Sequence, residues 1–384
     1  MNNQWMQFVE QVKKMYGKDF IPLHEPTFDD NELKYVTDCV KTGWVSSVGA
    51  YVTRFEEDLA KFVGVKRAVA VVNGTAALHI ALKVAGVEAD DEVLIPSLTF
   101  IATANAVSYC RAIPHFIDVH EDTLGVDPFK LDTYLSEISE VRGKELFNKK
   151  TNRRIKALVP MHTFGHAVHL EELVSLAEKY HLILVEDAAE SLGTYYKGKH
   201  TGSFGKVNAM SFNGNKIITT GGGGAILTND DALADYAKHL TTTAKVPHKW
   251  EYVHDEVGYN YRMPNINAAL GCAQLEKLPV FLNQKQKLAD EISEFIKNIK
   301  GVRLFQQPSH SNSNYWLQTI ILDESLNRDE VLAFLNEQGV MSRPIWQPMH
   351  ELKMYNECPM MDLSKTDMLK ERIVNIPSTP IEVN

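Results

Sequence analysis

Residues 68–86, AVAVVNGTAALHIALKVAG, hold five small or β-branched residues, a turn at Asn73 and Gly74, and an apolar stretch at helical spacing. A buried strand that turns directly into a helix is the repeating unit of an α/β sheet. The unit recurs along the chain. EVLIP (92–96) precedes TFIATANAVSYC (99–110), IKALVPMH (155–162) precedes LEELVSLAEKYH (170–181), and LILVEDAAE (182–190) follows. This alternation predicts a mostly parallel sheet with helices on both faces, whose functional groups gather where strands end. Asn73, Thr99, His162 and Asp187 all stand at such ends.

Either side of this block the pattern changes. Trp5, Phe8, Val9, Val12 and Tyr16 recur at helical spacing, so residues 1–20 read as an amphipathic helix that packs on protein. Beyond the block come a long polar helix over 281–299, a strand-like NYWLQTIILD (314–323), a helix RDEVLAFLNEQG (328–339) and a Pro-rich end. The expected division is therefore a large domain over 21–277 and a smaller C-terminal α+β domain over 278–384. At 384 residues one core usually stops growing, which agrees with two domains.

A net charge of -9 argues against a nucleic-acid or anionic-membrane surface, which needs a concentrated positive field. Cys39, Cys110, Cys272 and Cys358 are far apart and offer neither a disulfide framework nor a zinc knuckle. No apolar run reaches the roughly 20 residues of a membrane span, and residues 1–20 lack the apolar core of a signal peptide. The expected location is cytoplasmic. His162, His166 and His169 do not share one helix face and have no thiolate nearby, so no metal site is expected.

Three segments carry chemistry. Gly74 and Thr75 open a helix directly after a strand, where free backbone N–H groups suit a phosphate, although neither a nucleotide P-loop nor a Gly-x-Gly-x-x-Gly fingerprint is present. LILVEDAAE carries Glu186 and Asp187 out of an apolar strand, and an acid there needs a cation such as a protonated pyridine nitrogen. MSFNGNKIITTGGGGAIL (210–227) sets Lys216 between a strand and four glycines that let backbone approach a bound group, with Ser211 nearby. A lysine in a dry site yields the neutral amine that an imine requires.

In this order and spacing, NGTAAL (73–78), TFIATANA (99–106), EDAAE (186–190) and SFNGNK (211–216) resemble the DegT/DnrJ/StrS sugar aminotransferases, which are fold-type-I pyridoxal-phosphate enzymes. The resemblance continues through GYNYRMPNINAALGCAQL (258–275) and SRPIWQPMH (342–350). FIPLHEPTF (20–28), VSSVGAYVTRFE (45–56) and the glycine run resemble most the branch that aminates carbon four of UDP- or GDP-linked 4-keto-6-deoxy-N-acetylhexosamines. That branch serves bacillosamine- and legionaminic-acid-type sugars.

The resemblance implies Lys216 as Schiff-base lysine and Asp187 as partner of the pyridinium nitrogen. It also implies Gly74, Thr75 and Ser211 as phosphate contacts and Phe100 as the aromatic on the cofactor ring. Glu190 stands near the ring hydroxyl where relatives often carry Gln or His. Asn260 matches a residue that reaches the neighbouring subunit's phosphate, which implies a homodimer with shared sites and L-glutamate as amino donor. His162, Lys245, Arg262 and Arg343, with His248 and Lys249, are candidates for the substrate and its diphosphate. The alternatives are another nucleotide-linked keto sugar of the perosamine type, a related dehydratase, disfavoured because Lys216 is retained, and a noncatalytic regulatory protein on the same fold.

Overall fold

The computed structural model describes residues 3–382; the first two residues of the expected N-terminal segment and the last two of the expected C-terminal domain lie outside the described residues. Strands Ile113–Ile117, Glu92–Pro96, Arg154–Leu158 and Ile183–Leu184 pair in parallel, in that order. Asp187 bridges Met161 on one side and Ala209 on the other, both parallel, and so joins this sheet to strands Asn208–Ser211, Gly224–Thr228 and Arg67–Val71. Gly224–Thr228 runs against its neighbours, and so does Glu145–Asn148 beside Arg154–Leu158. The central sheet is therefore mostly parallel, as expected.

Alternation along the strands divides the core between two faces. Val69 and Val71 pack in one cluster with Leu78, Leu82 and Val107, while Ala68 and Ala70 face another with Phe55, Leu59 and Phe212. Glu92–Pro96 and Gly224–Thr228 are buried at every position, the pattern of strands covered on both sides.

A second sheet of four antiparallel strands has the order Val302–Leu304, Gln318–Leu322, Ile373–Ile376, Arg343–Pro344. Its core contains Leu288, Ile292, Ile320, Leu335 and Val374. The N-terminal helix Asn3–Tyr16 joins this core through Trp5, Phe8, Val9 and Val12, so the first segment of the chain packs with the last.

The helix expected over 281–299 is longer and begins earlier. It runs unbroken from Asn265 to Ile296 with Pro279 inside it, and so passes through the expected division between residues 277 and 278. Its first half buries Ala268, Cys272 and Leu275 in the large-domain core, and its second half buries Leu288 and Ile292 in the small one. Packing along both halves outweighs the roughly 3 kcal/mol that an interior proline costs. Among the described residues no helix is long and apolar enough to cross a membrane.

Candidate active site

The strands of the large sheet end on one edge, and there a cavity of about 320 Å³ is lined by Gly74, Thr75, Phe100, Asp187, Glu190, Ser211 and Lys216. Seven of the fourteen residues named from sequence for the cofactor or the substrate thus meet at one place. Each arrives by a local rule. The helix Gly74–Val84 is capped by the Asn73 side chain, which accepts from Ala76 N–H at 2.7 Å, while the Asn73 carbonyl accepts from Ala77 N–H. The N–H groups of Gly74 and Thr75 stay outside the helix ladder and open to the cavity lining. A Cβ on Gly74 would lie 2.7 Å from Ser211 Cβ, so glycine here brings the serine hydroxyl against the helix start.

Glu186 and Asp187 are neighbours on one extended segment and point opposite ways. Glu186 turns inward, accepting from His162 Nε2 at 2.9 Å and from the N–H groups of Gly202, Phe204 and Gly205 at 2.6–2.8 Å. Burial alone would raise its carboxyl, but His162 and those N–H groups outweigh burial and hold it below the ordinary value. Asp187 turns to the cavity. Its Oδ2 accepts from the Thr103 hydroxyl at 2.7 Å and its Oδ1 from Ala189 N–H at 3.2 Å. Among the described residues none makes an ion pair with it, and burial pushes its carboxyl up against the pull of Thr103, Ala189 and Lys216.

Lys216 lies on the loop between Asn208–Ser211 and Gly224–Thr228. Its Nζ is 3.2 Å from Glu190 Oε1 and sits over the Trp316 ring, 3.7 Å from the centroid. Glu190 Oε2 accepts from Phe164 N–H at 2.8 Å. Burial pushes the Glu190 carboxyl up to about 7, although Lys216 and Phe164 pull the other way. The glycine run differs from expectation in what it approaches. A Cβ on Gly224 would lie 2.5 Å from the Asn73 carbonyl carbon and 2.8 Å from Gly74 N, so this glycine lets the strand abut the helix start.

The remaining assigned residues are elsewhere. His162 is fully buried, paired to Glu186 and accepting from Val168 N–H, and does not line the cavity. Arg262 is likewise committed: it donates to Ala70 O and to Glu56, both at 2.8 Å. Arg343 is exposed at the edge of the small sheet, donating to Asn336 and Ser342 O. Lys245 lies on the hairpin Lys245–His254 with its Nζ 4.0 Å from the Tyr252 centroid, and Asn260 is exposed. None of these four lines the cavity of its own chain; for the two arginines, sequence marks the cation but not the acceptor that claims it. Of the three histidines, His166 meets Ser313 and His169 meets the ring of His120.

Sequence reasoning missed Thr103, Trp316 and Trp346. Thr103 lies one helical turn after Thr99, within a quoted segment, so its spacing was readable. Trp316 and Trp346 fall within the expected C-terminal domain and were read only as strand and segment residues.

The donor set fits pyridoxal phosphate: a helix start and hydroxyl for the phosphate, a buried carboxylate free of any ion pair for the ring nitrogen, and a lysine amine beside both. The surrounding architecture is that of the fold-type-I enzymes which use this cofactor. Within that class the chain belongs to the DegT/DnrJ/EryC1/StrS aminotransferase family, which residues 26–381 match, and it is a pyridoxal-phosphate-dependent sugar aminotransferase. GDP-perosamine synthase of Vibrio cholerae is 37% identical over 94% of this chain and 94% of its own length. The crystal structure of a DegT DnrJ EryC1 StrS aminotransferase from Brucella abortus has a TM-score of 0.83 at 28% identity, covering 92% of this chain and 91% of that one. DesI, solved in the presence of its TDP-sugar product, has a TM-score of 0.83 at 27% identity, covering 95% and 90%.

Proposed function

We propose that this aminotransferase moves an amino group from L-glutamate to carbon four of a nucleotide-linked 4-keto-6-deoxyhexose. The first reading is a UDP- or GDP-linked 4-keto-6-deoxy-N-acetylhexosamine. The observation that carries the reaction class is the meeting of Lys216, Asp187 and the Gly74–Thr75 helix start on one cavity. A GDP-linked keto sugar of the perosamine type is the second reading, supported by the 37% identity to the Vibrio cholerae synthase. Trp316 and Trp346 add aromatic walls on which the apolar face of a sugar ring can pack.

Bound pyridoxal phosphate supplies an electron-withdrawing ring that makes a neighbouring C–H bond acidic. Gly74 and Thr75 N–H groups and the Ser211 hydroxyl would hold its phosphate, and Phe100 would cover the ring. Asp187, oriented by Thr103, would keep the proton on the ring nitrogen. Glu190 would meet the ring hydroxyl. Lys216 Nζ removes the α-proton of glutamate and redelivers it within the same cavity. For the keto sugar, the same nitrogen moves the proton in the opposite direction.

We further infer a homodimer with shared sites. Lys216 is the only cation lining the cavity among the described residues, and a sugar diphosphate needs more positive charge. Asn260 and Lys245 stand outside their own cavity, and the hairpin beside them exposes Trp250 (71%) and Tyr252 (81%), large apolar surface that a second copy would cover.

Incubating cofactor-loaded protein with L-glutamate and each keto sugar, followed by mass spectrometry, tests the reading. Appearance of the 4-amino sugar with wild type but not Lys216→Ala is expected. Turnover by a folded Lys216→Ala protein would remove Lys216 from the mechanism, and failure on every 4-keto sugar would overturn the substrate class.

A further inference from the structure

We propose that Trp316 is a positioning residue for Lys216, forming with Glu190 a seat for the lysine amine while that amine is free of the cofactor. The proposal rests on Lys216 being the lysine that holds pyridoxal phosphate. In a transaminase this lysine is released from the cofactor through most of both half-reactions, and the amine must return to the same carbon. A free lysine side chain samples many rotamers, and a seat removes that freedom in advance.

The geometry has two sides. Lys216 Nζ lies 3.7 Å from the Trp316 centroid, well inside the roughly 6 Å reach of a cation–π contact, and 3.2 Å from Glu190 Oε1. The indole attracts the amine without offering a site that takes its proton. The carboxylate supplies direction.

The indole is fixed from several directions, more than hydrophobic filling requires. Its Nε1 donates to the carbonyl of Asn215, the residue before Lys216, at 2.7 Å. Its backbone N–H donates to Asn314 Oδ1 at 2.8 Å, and the same asparagine's Nδ2 donates to Glu190 O and Leu192 O at 2.8 and 2.9 Å. Asn314 therefore ties the backbones of both partners of the seat together. A Cβ on Gly165 would lie 1.8 Å from Asn314 Oδ1, so a glycine makes room for this tie.

On its other side the segment is anchored by Lys285. This fully buried lysine donates to the carbonyls of Tyr315, Trp316 and Ser378 at 3.1, 2.9 and 2.5 Å. Between the two tethered residues Tyr315 has φ +48°, a left-handed conformation costly for a tyrosine. A strained residue held by bonds on both sides is what a functional position looks like. Trp316 is also contributed by the small domain while Lys216 belongs to the large one, so the seat depends on how the two pack.

The test uses the full-length protein converted to its pyridoxamine phosphate form by excess L-glutamate. A limiting acylating reagent is added, and the initial labelling rate of Lys216 relative to exposed Lys41 is read by peptide mass spectrometry in wild type, Trp316→Phe, Trp316→Leu and Glu190→Gln. The relative rate is expected to rise from wild type to Phe to Leu, by about 2- to 30-fold overall, the ratio corresponding to the usual strength of a cation–π contact. Glu190→Gln raises it as well, and in each variant kcat falls with the KM for L-glutamate unchanged. Equal labelling in Trp316 variants that unfold at the same urea concentration as wild type overturns the seat. Should Trp316→Leu not fold, Trp316→Phe decides: no increase in labelling overturns it. Borohydride reduction of the cofactor-loaded protein with peptide mapping separates this from the lysine assignment: trapping on Lys216 upholds that assignment, and trapping elsewhere overturns it together with the seat.

Discussion

The Thr103 hydroxyl donates to Asp187 Oδ2 at 2.7 Å, in a pair buried beneath the cavity. A hydrogen bond to a charged group contributes about 1.5–3 kcal/mol. Thr103→Val is therefore expected to weaken pyridoxal phosphate binding on the order of 10- to 150-fold, measured by fluorescence titration of cofactor-free protein. Asp187→Ala should weaken it further. Unchanged affinity in Thr103→Val would mean that Asp187 is oriented without it.

Glu190 links stability to pH. Its carboxyl rises from 4.5 to about 7 on burial, so the folded state holds a proton that the unfolded chain has already released. Its contribution is fully present below about pH 4.5 and is lost as pH rises through about 7. Glu190→Gln should flatten the loss of stability across that window, read as urea midpoints of cofactor-free protein at intervals between the two values. A wild-type slope that persists in Glu190→Gln would assign it to another group.

Gly224→Ala places a methyl group 2.5 Å from the Asn73 carbonyl carbon. Backbone on both sides must move, and overpacking of this kind costs about 1–3 kcal/mol. The helix start at Gly74 takes the displacement, so cofactor affinity should fall along with the melting temperature. A stable variant with wild-type affinity would show that the phosphate end tolerates the shift.

Arg262→Met distinguishes a structural arginine from a substrate-binding one. Removing it takes the 2.8 Å donor from the Ala70 carbonyl and the arginine from Glu56, which keeps Ala70 N–H and Lys238, a loss of about 1–3 kcal/mol. Reduced stability with little change in the keto-sugar KM is expected. A raised KM in a protein of unaltered stability would restore Arg262 to the substrate.

Much of the cavity was legible because Gly74, Thr75 and Asp187 follow from local rules, while Phe100 and Glu190 came from the resemblance alone. A strand that turns at Asn73-Gly74 must leave N–H groups exposed at the next helix start, and the acids that end an apolar strand lie beside the sheet's functional edge. The substrate end was not. Arg262 finds Glu56 across 206 positions of sequence, His162 finds Glu186 across 24, and neither distance has a periodicity to betray it.

The sequence alone determined the alternating large sheet, the apolar face of the first helix, the family, and the residues at the strand ends, since hydrophobic period and turn chemistry act over a few neighbouring residues. Only the tertiary structure decided that Glu186 turns inward while Asp187 meets the cavity, that one helix from Asn265 to Ile296 serves both domains, and that Trp316 reaches back over Lys216. Those outcomes depend on which distant group satisfies each buried charge and carbonyl, and that is settled by three-dimensional packing rather than by order along the chain.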